Sequence, residues 1–302
     1  MVEGDDGFTS RSFVVEVPMF ASQYIEVLSP TGMRSASATG FFMRNSAGGL
    51  FLITNRHVAT GRHWETDELD GRIAPSALRF TVPVSVQTGA AGFWTQVAIG
   101  LGDNEEHPVW FEHPKHGRKV DVVAIPIPET TEDEFGRDLD FVTYASGASP
   151  ARLGIANDVF TIGFPVGVDP INNYAFPLWT RGSIAWPPRL DWRDLPAFVI
   201  DSRTRQGQSG SPVVFYADET MAYVTPTGER AFGPAWGLVG VYSGRIHPDS
   251  DIGIVWKRSA LDEILERGVQ PVVPTVAPLQ ISPLDAADVD KCPQPEVEGT
   301  ES

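Results

Sequence analysis

With one cysteine, Cys292, in 302 residues, the chain cannot hold itself together with an internal disulfide, and a lone thiol in a Pro-rich acidic segment agrees with a reducing compartment. Apolar runs of membrane-spanning length are also missing, which excludes a transmembrane helix. Positive charge is scarce: 23 Lys and Arg stand against 39 Asp and Glu, a formal net charge of -16. A surface for nucleic acid or anionic membrane needs clustered cations, so neither partner is expected. The first ten residues, MVEGDDGFTS, lack the positive charge and apolar stretch of a secretory signal, which predicts a soluble cytoplasmic protein. Helix signals are few as well. This is not a helical bundle.

Turn formers are plentiful, with 29 Gly and 25 Pro. They punctuate short segments rich in Val, Ile, Phe and Thr, the pattern of an all-β sandwich or barrel. Strand-like pieces run Phe13 to Val17, Gln23 to Leu28, Ala38 to Met43, Leu50 to Thr54, Leu78 to Val86, Trp94 to Ile99 and Val120 to Ile127. A second group runs Val159 to Ile162, Tyr174 to Leu178, Gly182 to Ala185, Phe198 to Ile200, Pro212 to Tyr216, Trp236 to Tyr242 and Ile252 to Trp256. The organisation predicted is a flexible N-terminus (1–12), a first β unit (13–128), an acidic solvated connection (129–150), a second β unit (151–257), a helix (258–268) and a Pro-rich acidic disordered tail (269–302). Ser259 is positioned to cap the helix, Leu261, Ile264 and Leu265 repeat at helical spacing, and Gly268 can end it.

Three residues invite a chemical reading. In Gly207-Gln208-Ser209-Gly210-Ser211-Pro212, the glycines clear space around Ser209 and permit backbone angles that aim consecutive amides at one point, as a serine nucleophile and its oxyanion require. The plain alternative is a Gly-Ser surface turn before a strand. Of six histidines, His57 closes an apolar strand that runs into a short turn, so its ring can face a cleft. His63, His107, His113, His116 and His247 lie in polar or Pro-containing loops and read as solvated. Asp121 opens an apolar strand, where a carboxylate is costly unless bonded. A histidine partner resolves that cost, and an ion pair with Arg118 or Lys119 is the other reading.

Six segments in order, Thr39-Gly40-Phe41-Phe42, Thr54-Asn55-Arg56-His57-Val58, Asp121-Val122-Val123, Ile162-Gly163-Phe164-Pro165, the Ser209 hexapeptide and Gly240-Val241-Tyr242-Ser243-Gly244, resemble the trypsin/chymotrypsin-like serine proteases. The bacterial branch of Deg/HtrA proteins and glutamyl endopeptidases is the most similar, without a PDZ domain here. The chain order His, Asp, Ser is that family's. The resemblance implies two six-stranded antiparallel β-barrels with a C-terminal helix, His57 as general base, Asp121 orienting it, an acyl-enzyme on Ser209, an oxyanion hole from the amides of Gly207 and Ser209, and no cofactor or metal. Protein or peptide substrates follow. A Gly-x-Ser-x-Gly elbow followed by a helix is absent, which excludes an α/β-hydrolase.

By the same resemblance the primary specificity pocket is lined by Arg203, Thr204, Arg205 and Gln206 and by Tyr242, Ser243 and Gly244. A guanidinium at its base would select acidic side chains. Without one, small aliphatic side chains are expected, the arginines pointing to solvent or pairing with Asp201 and Asp194. Gln208 stands where animal relatives carry the aspartate that pairs with a new N-terminus, so no such cleavage switch is expected. Restraint of a cytoplasmic protease then falls to a narrow substrate or an activating partner protein, with the tail after Val269 a candidate contact. The competing reading is a catalytically silent trypsin-like fold that binds peptides or proteins.

Overall fold

Apolar residues occupy successive positions at 41–43, 50–53 and 122–125, so the strands that carry them must bury both faces. The computed structural model describes residues 18–71, 73–83, 94–102, 107–128, 139, 141–145, 149–168 and 176–271. Strands β1 (Ser22–Leu28), β2 (Arg34–Arg44), β3 (Leu50–Thr54), β4 (Ala77–Pro83), β5 (Trp94–Gly100) and β6 (Val123–Pro126) form an antiparallel sheet in the order β5-β4-β1-β2-β3-β6. A short helix α1 (Arg56–Thr60) follows β3, and β7 (Thr143–Tyr144) adds to β2 in parallel where β1 has ended.

Alternation decides what each face meets. Along β2, Phe42 joins an interior cluster with Ile25, Leu52, Leu78, Phe80 and Ile125. Its neighbours Phe41 and Met43 point the other way, into a cluster shared with Ile162, Val214, Leu238, Val241 and Trp256 from the second half. A one-residue slip of β2 would exchange the two sets, so register is fixed from both sides. Burying each such side chain stabilises the fold by roughly 1.5–3 kcal/mol.

The second half, β8 (Asp158–Gly163), β9 (Leu178–Ile184), β10 (Ala197–Ser202), β11 (Pro212–Ala217), β12 (Ala222–Val224), β13 (Arg230–Phe232), β14 (Ala235–Arg245) and β15 (Ile252–Lys257), contains a closed barrel in the order β10-β15-β14-β11-β8-β9. Strands β12 and β13 pair only with each other, as a hairpin between β11 and β14. The fold is therefore trypsin-like and mostly β: a closed six-stranded barrel and a curled half-barrel sheet, with a C-terminal helix.

Helix α2 (Arg258–Arg267) buries Ala260, Leu261, Ile264 and Leu265 in the cluster shared by the two halves. Its capping differs from the sequence reading. Lys257 holds the N-cap position in extended conformation without a side-chain cap, and Ser259 lies inside the first turn. Gly268 ends the helix with φ -54, not a left-handed angle. A side chain there would meet Ile264 O at 2.4 Å and Phe111 Cβ at 2.8 Å, so close packing selects the glycine.

Other expectations also need correction. Residues 141–145 of the predicted solvated connection are packed: Phe141 lies edge-on to Phe42 and Tyr144 to Phe41, because aromatic burial outweighs the acidity of the segment. The two strands read at Tyr174 to Leu178 and Gly182 to Ala185 are one strand, β9, wherever described: Arg181 faces outward, while the half-buried Thr180 accepts a hydrogen bond from the buried Gln208. Val269, placed in the tail by sequence, pairs with Glu112 through both backbone bonds. The strand expected at Phe13 to Val17 and the tail from residue 272 lie outside the described residues.

Candidate active site

The apolar strand β3 runs into Asn55, which is extended (φ -77, ψ 151) and fully buried. Asn55 occupies the N-cap position of α1 but does not cap it. Its Nδ2 instead donates to Asp121 O at 2.7 Å, tying the end of β3 to the segment before β6. His57 thereby sits in the first turn of a helix, not at a strand end, and meets Asp121 twice. Its backbone N–H donates to Asp121 Oδ1 at 2.8 Å, and its ring Nδ1 lies 2.7 Å from Asp121 Oδ2.

Asp121 is wholly buried. Such a carboxylate must be fully bonded, and it is: Ser243 Oγ donates to Oδ2 at 2.5 Å, adding a third hydrogen bond. The alternative ion pair is not made by Arg118, whose guanidinium goes to Asp67 at 3.3 Å. A carboxylate accepting at Nδ1 places the ring proton there and leaves Nε2 as a proton acceptor. The His57 side chain keeps 26% exposure. Burial disfavours the charged ring, but the Asp121 charge, its hydrogen bond and Asp70 farther off outweigh it, raising the His57 pKa above 6.5.

Ser209 comes from the other half, on the turn before β11. Gly207 and Gly210 flank it with φ +92 and +83, angles that L side chains rarely adopt. Space forbids a side chain at either: a Cβ on Gly207 would lie 2.4 Å from Phe164 O, and one on Gly210 2.1 Å from Thr39 O. Among the described residues the amides of Gly207 and Ser209 have no hydrogen-bond acceptor. The turn is held by its neighbours. Gln208, buried, accepts from Arg205 N at 2.8 Å and donates to Thr180 Oγ1 at 2.9 Å. Thr39 of β2 donates its hydroxyl to Gly207 O at 2.9 Å and its amide to Ser209 O at 2.8 Å, clamping the turn from across the cleft.

The Ser209 hydroxyl does not bond the imidazole. It donates to Ser243 O at 3.1 Å, while Ser243 Oγ donates to Asp121. Ser243 thus joins all three predicted residues into one network, a role the sequence reading, which placed it in the specificity pocket, did not contain. Asn55 and Thr39 were likewise missed as positioning groups, since hydrogen bonds between residues distant in the chain leave no periodic signal.

The pocket residues are only partly as expected. Thr204 is buried, whereas Arg203 and Arg205 point outward with side chains 84% and 56% exposed, near Asp251 at 3.9 and 3.8 Å, not Asp201 or Asp194. Just past the end of β10 the chain turns tightly, Thr204 N donating to Ser202 O at 2.7 Å, and the threonine takes the inward position. Neither guanidinium turns inward. Gln206 is exposed, its carbonyl accepting from Val166 N at 2.7 Å. Tyr242 is buried and bonded to Thr204, and Gly244 is half-buried.

Two features away from the site were illegible. Arg56, beside His57, is buried between Glu112 and Asp67, each at 2.8 Å. His113, read as a solvated histidine, is 1% exposed; its Nδ1 accepts from Lys115 N and His116 N, and burial lowers its pKa. Among the described residues no group of three His, Cys, Asp or Glu is placed to hold a metal.

A histidine, a buried carboxylate and a serine, gathered where a curled β-sheet meets a closed β-barrel, define a trypsin-like architecture. The chain belongs to the family of trypsin-like peptidase domains, whose model matches residues 38–220, a span that holds His57, Asp121 and Ser209. Among solved structures, the active form of the Rv3671c protease from M. tuberculosis is similar at 19% identity, covering 86% of each chain with a TM-score of 0.45. Its inactive form is similar at 17% identity, covering 83% of this chain and 90% of that one with a TM-score of 0.42. No curated protein matches the sequence.

Proposed function

We propose that the protein is a serine endopeptidase acting through an acyl-enzyme on Ser209. The observation that carries the reading is the hydrogen-bonded chain from His57 through Asp121 and Ser243 to Ser209, which joins side chains from both halves around one buried carboxylate. Rotation about its Cα–Cβ bond releases the Ser209 hydroxyl from Ser243 O toward His57 Nε2. The imidazole then takes the hydroxyl proton as Oγ attacks the substrate carbonyl carbon, and the negative oxygen settles against the free amides of Gly207 and Ser209. The carbon–nitrogen bond breaks as His57 returns the proton to the leaving amine. Water, deprotonated by the same ring, hydrolyses the ester, while Asp121 holds the tautomer and stabilises the imidazolium throughout.

One observation favours a second reading, a silent fold that binds peptides: the serine rests on a carbonyl and not on the base. A fluorophosphonate separates the two. Covalent labelling that is lost in Ser209→Ala, together with peptide hydrolysis lost in the same variant, is the expected result. An unlabelled wild-type protein that nonetheless binds peptides would establish the silent fold instead.

A further inference from the structure

The groups around Ser209 fix where the substrate side chain next to the scissile carbonyl must go. The carbonyl carbon has to reach Ser209 Oγ and its oxygen the Gly207 and Ser209 amides. By the resemblance to trypsin-like peptidases, the side chain then enters between the loop of residues 203–208 and the end of β14 at Ser243, Gly244 and Arg245. At the mouth there is space, since no atom lies within 4 Å of a Cβ built on Gly244.

Below the mouth the space ends. Tyr242 precedes Ser243 and turns inward, buried, with its hydroxyl hydrogen-bonded to Thr204 Oγ1. Thr204 belongs to one wall and Tyr242 to the other, so this bond closes the bottom. The ring also covers β15: a Cβ on Gly253 would stand 2.4 Å from Tyr242 Cε2. Tyr242 is poorly placed to swing away. Its amide donates to Ser211 O at 2.8 Å, its carbonyl accepts from Gly210 N at 2.9 Å, and its ring packs in the barrel core with Val159, Phe198, Val213 and Val255. The two hydroxyls at the bottom satisfy each other, Arg203 and Arg205 point outward and the exposed Arg245 stays at the mouth, so a charge carried down to the floor meets no ionic partner there.

We propose that the Tyr242–Thr204 bridge is the floor of a shallow primary specificity pocket, and that the enzyme cleaves after small side chains, glycine, alanine or serine, while rejecting long, aromatic and charged ones. The inference rests on the serine-peptidase reading above. Each methylene that a closed pocket cannot hold costs about 10-fold or more in selectivity.

The test uses five peptidyl diphenyl phosphonates that differ only in the residue carrying phosphorus, Ala, Leu, Phe, Lys or Glu, with Ser209 modification followed by intact-mass spectrometry. In the wild-type protein the Ala reagent reacts at least about 10-fold faster than the other four. In Tyr242→Val, which removes the floor, the Leu-to-Ala and Phe-to-Ala rate ratios rise by about 10-fold or more; in Tyr242→Phe, which keeps the ring, the wild-type order remains. Ratios within one protein cancel any general loss of reactivity, and if Tyr242→Val does not fold, the wild-type order decides. Equal or faster reaction with the Phe, Lys or Glu reagent in wild type, or unchanged ratios in a folded Tyr242→Val, overturns the floor and leaves the peptidase reading standing. No modification of Ser209 by any of the five or by a fluorophosphonate overturns the peptidase reading itself.

Discussion

Asp121 carries more of the site than any other residue, because three donors converge on one buried carboxylate: the His57 amide, the His57 ring and the Ser243 hydroxyl. Under the proposed mechanism Asp121→Asn should lower kcat about 10⁴-fold, the loss known for trypsin when this carboxylate becomes an amide and the ring takes the wrong tautomer. The pH profile adds a sign. His57 must be neutral to accept a proton, and its pKa is raised, so the acid limb of kcat/KM in the wild-type enzyme should lie above pH 6.5. Removing the negative charge leaves burial opposed only by the weaker influence of Asp70, and the acid limb of the residual activity should move downward. An acid limb that stays in place in Asp121→Asn would contradict the electrostatic account. Gly210 gives a stability test at the same scale. Its φ of +83 and the 2.1 Å approach of a Cβ to Thr39 O make Gly210→Ala both strained and clashing. A loss of about 1–3 kcal/mol or more is expected from denaturant midpoints.

At the scale of elements, the strands behave as their apolar patterns say, while the short connections carry the functional geometry. Strand β3 was legible residue for residue, Leu50 to Thr54, because an apolar run between turn formers has few alternatives. The helical turn α1 was not, since five residues provide too little periodicity to register. Hairpin β12–β13 was missed for a related reason: three-residue strands with exposed side chains have no buried face to pattern. Helix α2 was legible from Leu261, Ile264 and Leu265, but its capping was not, because Ser259 competes with the chain direction set by β15. The helix matters to both halves. Leu261 is buried in their shared cluster, so Leu261→Ala should destabilise the protein by about 2–5 kcal/mol by chemical denaturation, the range for leucine cavities. A loss below about 1 kcal/mol would show that the helix is peripheral.

For the molecule as a whole, the sheet and the barrel share one cluster and residues up to Pro271 form one compact unit. The two halves should unfold together, not in sequence. Far-ultraviolet circular dichroism and tryptophan fluorescence, the latter reporting on Trp64 packed edge-on to Trp256 across the halves, should give coincident denaturation curves. Two separated transitions would mean that the shared cluster is too weak to couple them. The proposed catalytic network spans the same junction through Thr39, whose hydroxyl and amide reach the Ser209 turn. Activity is therefore expected to vanish in that single transition.

The sequence by itself determined the strand-rich class, the order of His57, Asp121 and Ser209, and the need for glycine at 207 and 210, because strand period and backbone sterics act over a few residues. Only the tertiary structure decided that Ser243 completes the network around Asp121, that Arg203 and Arg205 face solvent while Thr204 turns inward, and that His113 is buried. Those outcomes depend on which side chains two separate β structures bring face to face. A contact between residues 122 positions apart, such as Ser243 with Asp121, is settled by packing, and no local pattern encodes it.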